Sequence, residues 1–208
     1  MFGNLLKQNL RGSRVNLSKA LVNVVFFLLI TFSLLFFLQD EVQLSSKNIM
    51  IRTVIWFSLL FSVFYQTVDF LKEDYHDGTI QQMIVMFWNI ESYILVKITS
   101  FWLGFCLPIV ITSAIVMNIF GFSGEQIVMD VFLLIFSSIA ISFISCLCAS
   151  FNIISRRATL LVILALPIIL PVVMVAIIGN IKILIALSIF LSIISLFSCA
   201  KIVKIVSD

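Results

Sequence analysis

Six long runs with almost no charge dominate this chain: Ala20–Leu38, Thr53–Phe70, Ile98–Phe120, Ile127–Ala149, Thr159–Ile178 and Ile183–Ala200. A helix needs roughly 20 apolar residues to cross about 30 Å of hydrocarbon, so each run can span a bilayer. Backbone polar groups in lipid must be paired within a helix or a closed barrel. The runs are continuous rather than alternating, which means helices and not barrel strands. Only 11% of the 208 residues are charged and 62% are apolar, against about 25% charged in an ordinary soluble domain. A water-soluble fold could not cover that much apolar surface, and disorder, collagen and nucleic-acid binding are excluded by the same figures. The expected fold class is an all-α integral membrane protein with six transmembrane helices.

The runs leave short loops, so no soluble catalytic domain is expected and the driving chemistry must come from a partner. The first run is not expected to be a cleaved leader, because it passes straight into Gln39-Asp40-Glu41 without a small-residue cleavage site. Basic residues set the orientation. Lys7, Arg11, Arg14, Lys19, Lys72, Lys97, Arg156, Arg157, Lys201 and Lys204 fall on one side, and Lys47, Arg52 and Lys182 on the other. Both termini are therefore expected in the cytoplasm.

Two segments outside the spans are amphipathic. In residues 1–19, Phe2, Leu5, Leu6 and Leu10 share one helical face, with Lys7, Arg11 and Arg14 opposite. That pattern predicts an interfacial helix lying on an anionic leaflet, followed by the transmembrane domain at 20–208. The loop after the second span concentrates four of the ten acidic residues, Asp69, Glu73, Asp74 and Asp77. Gly78 then breaks the chain, and Thr79 with Gln82 reads as a capping box opening a helix at about 79–88. Ile80, Met83, Ile84 and Phe87 recur at i, i+3, i+4 and i+7, giving that helix an apolar face. An acidic approach has the wrong sign for an anionic leaflet, so docking of a soluble partner is the favoured reading over lipid contact.

An acidic residue followed by Gly-Thr and a short amphipathic helix after span two resembles the coupling segment of type-2 ABC exporter permeases, with Glu73 and Gly78-Thr79 matching that pattern. Span five adds Pro167 and Pro171, four residues apart inside an apolar run. With Glu73-Asp74, Asp77-Gly78-Thr79, the length and the six-span layout, the chain closely resembles the haem exporter protein B (CcmB) family over essentially its whole length. It departs from the family after the coupling helix, where Phe87-Trp88-Asn89-Ile90 stands in place of a Pro-rich turn. The resemblance implies a permease of cytochrome c maturation in a bacterial inner membrane, less readily a mitochondrial one. It implies an ATP-binding cassette ATPase as partner, a haem-handling membrane subunit, and pairing with a second copy or another membrane subunit. ATP would then be bound on the partner, and haem would be a possible substrate rather than a cofactor of this chain. A generic type-2 exporter permease for a lipid, drug or polysaccharide, and a non-transport assembly scaffold, remain the alternatives.

Some chemistry is absent from the sequence. No Gly-Lys dipeptide occurs, so there is no P-loop, and the single histidine, His76, lies in the cytoplasmic loop as a solvated residue. No span offers a histidine to haem iron. Cys106, Cys146, Cys148 and Cys199 read as small apolar filler, lacking any Cys-x-x-Cys spacing. Pro108, Pro167 and Pro171 are expected to kink their helices by removing one backbone bond each. Asp130 is the carboxylate placed within a span, near its external end, and is either functional or an interfacial residue. No ionisable partner at matching depth in a second span is evident. Asn23, Gln66 and Asn118 are expected to hydrogen-bond between helices. The small residues of span four, Ser137 through Ala149, predict a closely packed helix, inside the protomer or at a dimer contact.

Overall fold

The computed structural model describes residues 14–37, 47–67, 70–71, 74–75, 77–80, 82, 90–155 and 158–207. They form six long helices: α1 (Arg14–Phe37), α2 (Lys47–Thr67), α3 (Ile90–Ile119), α4 (Gly124–Ser155), α5 (Ala158–Ile178) and α6 (Ile181–Ser207). Among the described residues there is no β-strand. Five helices carry an apolar stretch long enough to cross a membrane, while α5 contributes a shorter one, Ala165–Ile178, within a helix of 21 residues. The all-α membrane architecture expected from the runs is therefore present.

The helices overrun the apolar runs that signalled them. The third starts at Ile90 rather than Ile98, and the fourth continues past Ala149 to Ser155. Thirty residues make about 45 Å of helix, enough to cross the headgroup layers as well as the hydrocarbon. Hydropathy reports only the hydrocarbon part, so Lys97, Lys201 and the first turn of α1 escape it. The interfacial helix expected at 1–19 lies largely outside the described residues. From Arg14 onward the chain is already part of α1.

Local chemistry fixes the external turns. Gly121 takes φ 81°, and Phe122 N–H bonds back to the carbonyl of Met117, closing the end of α3. Ser123 and Gln126 then cap α4 reciprocally: each side chain accepts the other's backbone N–H, at 3.4 and 3.2 Å. The Asn180 side chain accepts the N–H of Ile183 to begin α6.

α4 is the centre of the bundle. In its most apolar stretch 67% of residues are buried, against 22% in α1. Ser137, Ser138, Ala140, Ser142, Ser145, Cys146, Cys148 and Ala149 are all buried within the chain, which decides between the two readings of that small-residue stripe in favour of packing inside the protomer. Most hydroxyls satisfy themselves on their own helix, such as Thr31 on Phe27, Thr67 on Val63 and Ser137 on Leu133. Asn23 behaves as expected: the Ser62 hydroxyl lies 2.7 Å from its side-chain oxygen, joining α1 to α2.

The apolar interior falls into two clusters. The larger is built on Phe27, Trp56, Leu59, Ile109, Leu133 and Ile169. The smaller lies at the end that the basic residues assign to the cytoplasm, and takes Leu71, Ile80, Ile94, Cys199 and Val203. Exposed Leu, Ile and Phe side chains cover the outside of the bundle, Phe36 and Phe37 most fully. Pro167 and Pro171 stand on the exposed face of α5, which continues unbroken through both, while Ala165, Ile169, Val172 and Ala176 turn inward.

Candidate coupling site and external ion pair

The segment between α2 and α3 is folded onto its own bundle. Tyr75 N–H bonds to the Leu71 carbonyl at 3.1 Å, and Gly78 N–H bonds to the Tyr75 carbonyl at 3.3 Å. Gly78 has φ 68°, a conformation that side-chain-bearing residues adopt at a cost of about 1–2 kcal/mol. Its carbonyl accepts Gln82 N–H at 3.1 Å. The helix therefore opens at Thr79 as the sequence suggests, with Gly78 rather than Thr79 in the N-cap position.

The residues singled out in this segment divide into four groups. Asp74 is occupied within the chain: its Oδ2 accepts the Tyr93 hydroxyl at 2.7 Å and pairs with the Lys97 ammonium. Tyr93 and Lys97 are one turn apart on α3, so they hold the carboxylate from the same face. Ile80, counted on the apolar face of the coupling helix, is 1% exposed and packs in the inner cluster beside Leu71, Tyr93 and Ile94. Asp77 and Gln82 are exposed. Glu73, Met83, Ile84 and Phe87 lie outside the described residues. Tyr93 and Lys97 were not singled out in the sequence, because nothing local links a loop acid to positions 19 and 23 residues later. The only available signal was a lone lysine near the start of an apolar run.

Asp130 has a partner at the opposite end. Arg52, on α2, donates Nε–H and Nη2–H to the same oxygen, Oδ2, at 3.1 and 3.0 Å. The reading that no ionisable pair sits at matching depth in two spans is thus corrected. Counting Arg52 only as an external charge hid it, since α2 begins at Lys47 and brings Arg52 inside the helix. The Arg52 side chain is 23% exposed and that of Asp130 1%. The second oxygen of Asp130 is buried and accepts nothing from the described residues.

The third proline has a visible backbone effect. Pro108 cannot donate to the carbonyl of Gly104, and its ring would press on that carbonyl in α geometry. The preceding turn, Trp102–Cys106, is π-helical, with Leu107 N–H bonded to the Trp102 carbonyl five residues back. Two contacts fix this turn to α4: Trp102 Nε1 donates to Ser138 Oγ at 2.9 Å, and Cys106 Sγ lies 3.3 Å from Ser142 Oγ. The four cysteines are free and buried, and Cys146 and Cys199 bring their sulfurs within 3.3 Å of each other across α4 and α6.

These features define a multi-pass α-helical membrane protein whose cytoplasmic connection is seated on the ends of three of its own helices. The profile of the family described as CcmB protein matches residues 1–206, and the chain belongs to that family. Membership makes it a membrane permease component of the haem-export ABC system, a system with an ATPase and other membrane subunits, and not itself the catalytic subunit. A search of curated proteins returned no match.

Proposed function

We propose that this chain couples ATP hydrolysis on a separate ATP-binding cassette subunit to cytochrome c maturation, either by moving haem outward or by releasing a haem-loaded chaperone. The partner docks on the segment between α2 and α3. The observation that carries this reading is the seating of that segment. Leu71 and Ile80 are buried against α3, α4 and α6, while Asp77 and Gln82 face outward. A push on the outer side reaches three helix ends through close-packed contacts, which transmit displacement because they have no free volume to absorb it. The Asp74–Lys97 pair keeps the segment fixed to α3 while it is pushed.

In this reading haem is cargo. With His76 as its single histidine, the chain leaves axial ligation to a haem-handling membrane subunit. The protein works in a bacterial inner membrane, paired with a second copy or another membrane subunit. The test is charge reversal at the segment, Glu73→Lys with Asp77→Lys, scored by co-purification of the ATPase and by haem staining of c-type cytochromes. Loss of both, with b-type cytochromes unchanged, is the expected result. Unchanged co-purification and staining would overturn the docking role. Normal c-type cytochromes in a deletion strain would overturn the maturation role.

A further inference from the structure

The two apolar clusters meet at one level of α3. Ile94 and Ile98 belong to the inner cluster with Ile80, whereas Phe101, Phe105 and Ile109 belong to the outer one. The boundary falls between Ile98 and Phe101, just before the π-turn at Trp102–Cys106, whose buried residues Phe105 and Cys106 belong to the outer cluster. A π-turn stretches the backbone ladder by one residue, and isolated ones mark places where a helix departs from regular geometry for a functional reason. Here it is followed by Pro108, which leaves the Gly104 carbonyl without its ordinary partner. Gly104 also has open space where a Cβ would stand, so no neighbour forces glycine there.

The facing part of α4 is softened at the same height. Ser138 and Ser142 turn their hydroxyls back onto carbonyls of their own helix, at 2.9 and 2.8 Å. Such back-bonding draws on carbonyls already used by the ladder and bends helices. Two adjacent helices are thus weakened at one level, tied together there by the Trp102–Ser138 bond. Among the side chains described, those of α1 from Ser18, of α2 and of α5 from Ala165 contribute nothing to the inner cluster.

We propose that this level is a hinge: the inner cluster, with the cytoplasmic segment and the adjoining ends of α3, α4 and α6, swings as one body about the π-turn of α3 against the outer bundle. The inference rests on the proposed coupling to ATP and adds where the motion is taken up. The lever from Ser92 to the π-turn is about 12 residues, or ~18 Å, and a 20° bend at its base moves the tip by about 6 Å.

The experiment uses the full complex in nanodiscs, with spin labels on introduced cysteines and pulsed dipolar distances read in ADP and in trapped ATP. The four native thiols are buried, so a polar label selects the introduced sites. One pair joins exposed Ser92 to exposed Tyr65 on α2, across the two bodies. A second joins Ser92 to exposed Lys201 on α6, within the inner body. The expected result is a nucleotide-dependent change of several ångström in the first pair, at least three times that in the second. Pro108→Ala, alone and with Gly104→Ala, returns the missing donor to the ladder and should cut the first change at least twofold without lowering the amount of assembled complex. Equal changes in both pairs, no change in either, or a full-sized change in the variants would each overturn the hinge. Failure of the ATPase to co-purify would instead count against the coupling reading.

Discussion

Replacing Arg52 by alanine removes both donors from the Asp130 carboxylate at once, since Nε and Nη2 share Oδ2. The acid is 1% exposed and its other oxygen already lacks a donor, so among the described residues no alternative partner stands ready. Breaking a buried pair from one side costs about 3–5 kcal/mol, because it strands a charge. The Arg52 side chain is 23% exposed, and solvent screening reduces the loss to about 2–3 kcal/mol. Removing both charges together, as Arg52→Met with Asp130→Leu, should restore most of it, because an apolar pair of similar size needs no desolvation. Thermal unfolding in nanodiscs can be followed with a thiol-reactive fluorophore, since all four cysteines are buried in the folded chain. The four-way comparison of wild type, both single variants and the double variant should then give a coupling energy above about 1 kcal/mol. A single variant within about 0.5 kcal/mol of wild type, or a double variant equal to the sum of the singles, would refute the argument.

Gly78→Ala should cost about 1–2 kcal/mol through the left-handed backbone at φ 68°, seen as faster proteolysis at the segment in inside-out vesicles. Ile80→Ala removes a fully buried side chain from the inner cluster and should destabilise by about 2–4 kcal/mol in the thiol assay, whereas Gln82→Ala, exposed, should be neutral there. Tyr93→Phe deletes one hydrogen bond to Asp74 and should cost about 1–2 kcal/mol, with Lys97→Met more damaging than Tyr93→Phe because it leaves the carboxylate without its countercharge. Oxidation of membranes with iodine should join Cys146 to Cys199, detected as a cross-linked peptide, and leave Cys106 and Cys148 as free thiols.

The number and type of the helices were legible because a bilayer imposes a length and forbids unpaired backbone, so apolar runs and helices must coincide. Their ends were not, since the headgroup layers accept Lys97 and Lys201 without any hydropathy signal. The opening of the cytoplasmic helix at Thr79 could be read from Gly78, whose conformational need is local. Which face of that helix turns inward could not. Ile80, Met83, Ile84 and Phe87 satisfy the same periodicity whether the apolar face meets a partner or the chain itself, and only the fold shows Ile80 buried against α3. The two ion pairs were hidden for the same reason. Arg52 and Asp130 are 78 residues apart in sequence, and charge counting by side of the membrane treats each as an isolated label. Pro108 announced a distortion, but its form, a π-turn tied to Ser138, depends on what α4 offers across the interface.

The distribution of polar ties bears on how such a bundle can move. Charged pairs fasten it at the two ends, Arg52 with Asp130 on the external side and Asp74 with Lys97 on the cytoplasmic side. Between them, Thr31, Thr67, Thr112, Ser113 and Ser137 spend their hydroxyls on their own helices. A hydroxyl bonded within its helix travels with that helix, so neighbours can tilt past it without breaking a bond that lipid could not replace. The α1–α2 contact differs, because Ser62 bonds across to Asn23 and holds those helices together. The α3–α4 contact is tied in the same way, by Trp102 to Ser138, so those two helices move together there, and α3 carries its π-turn just beyond the level where the two clusters divide. A partner acting on the segment at Asp77 and Gln82 would meet least resistance along α3, and it is there that nucleotide-dependent movement should be largest.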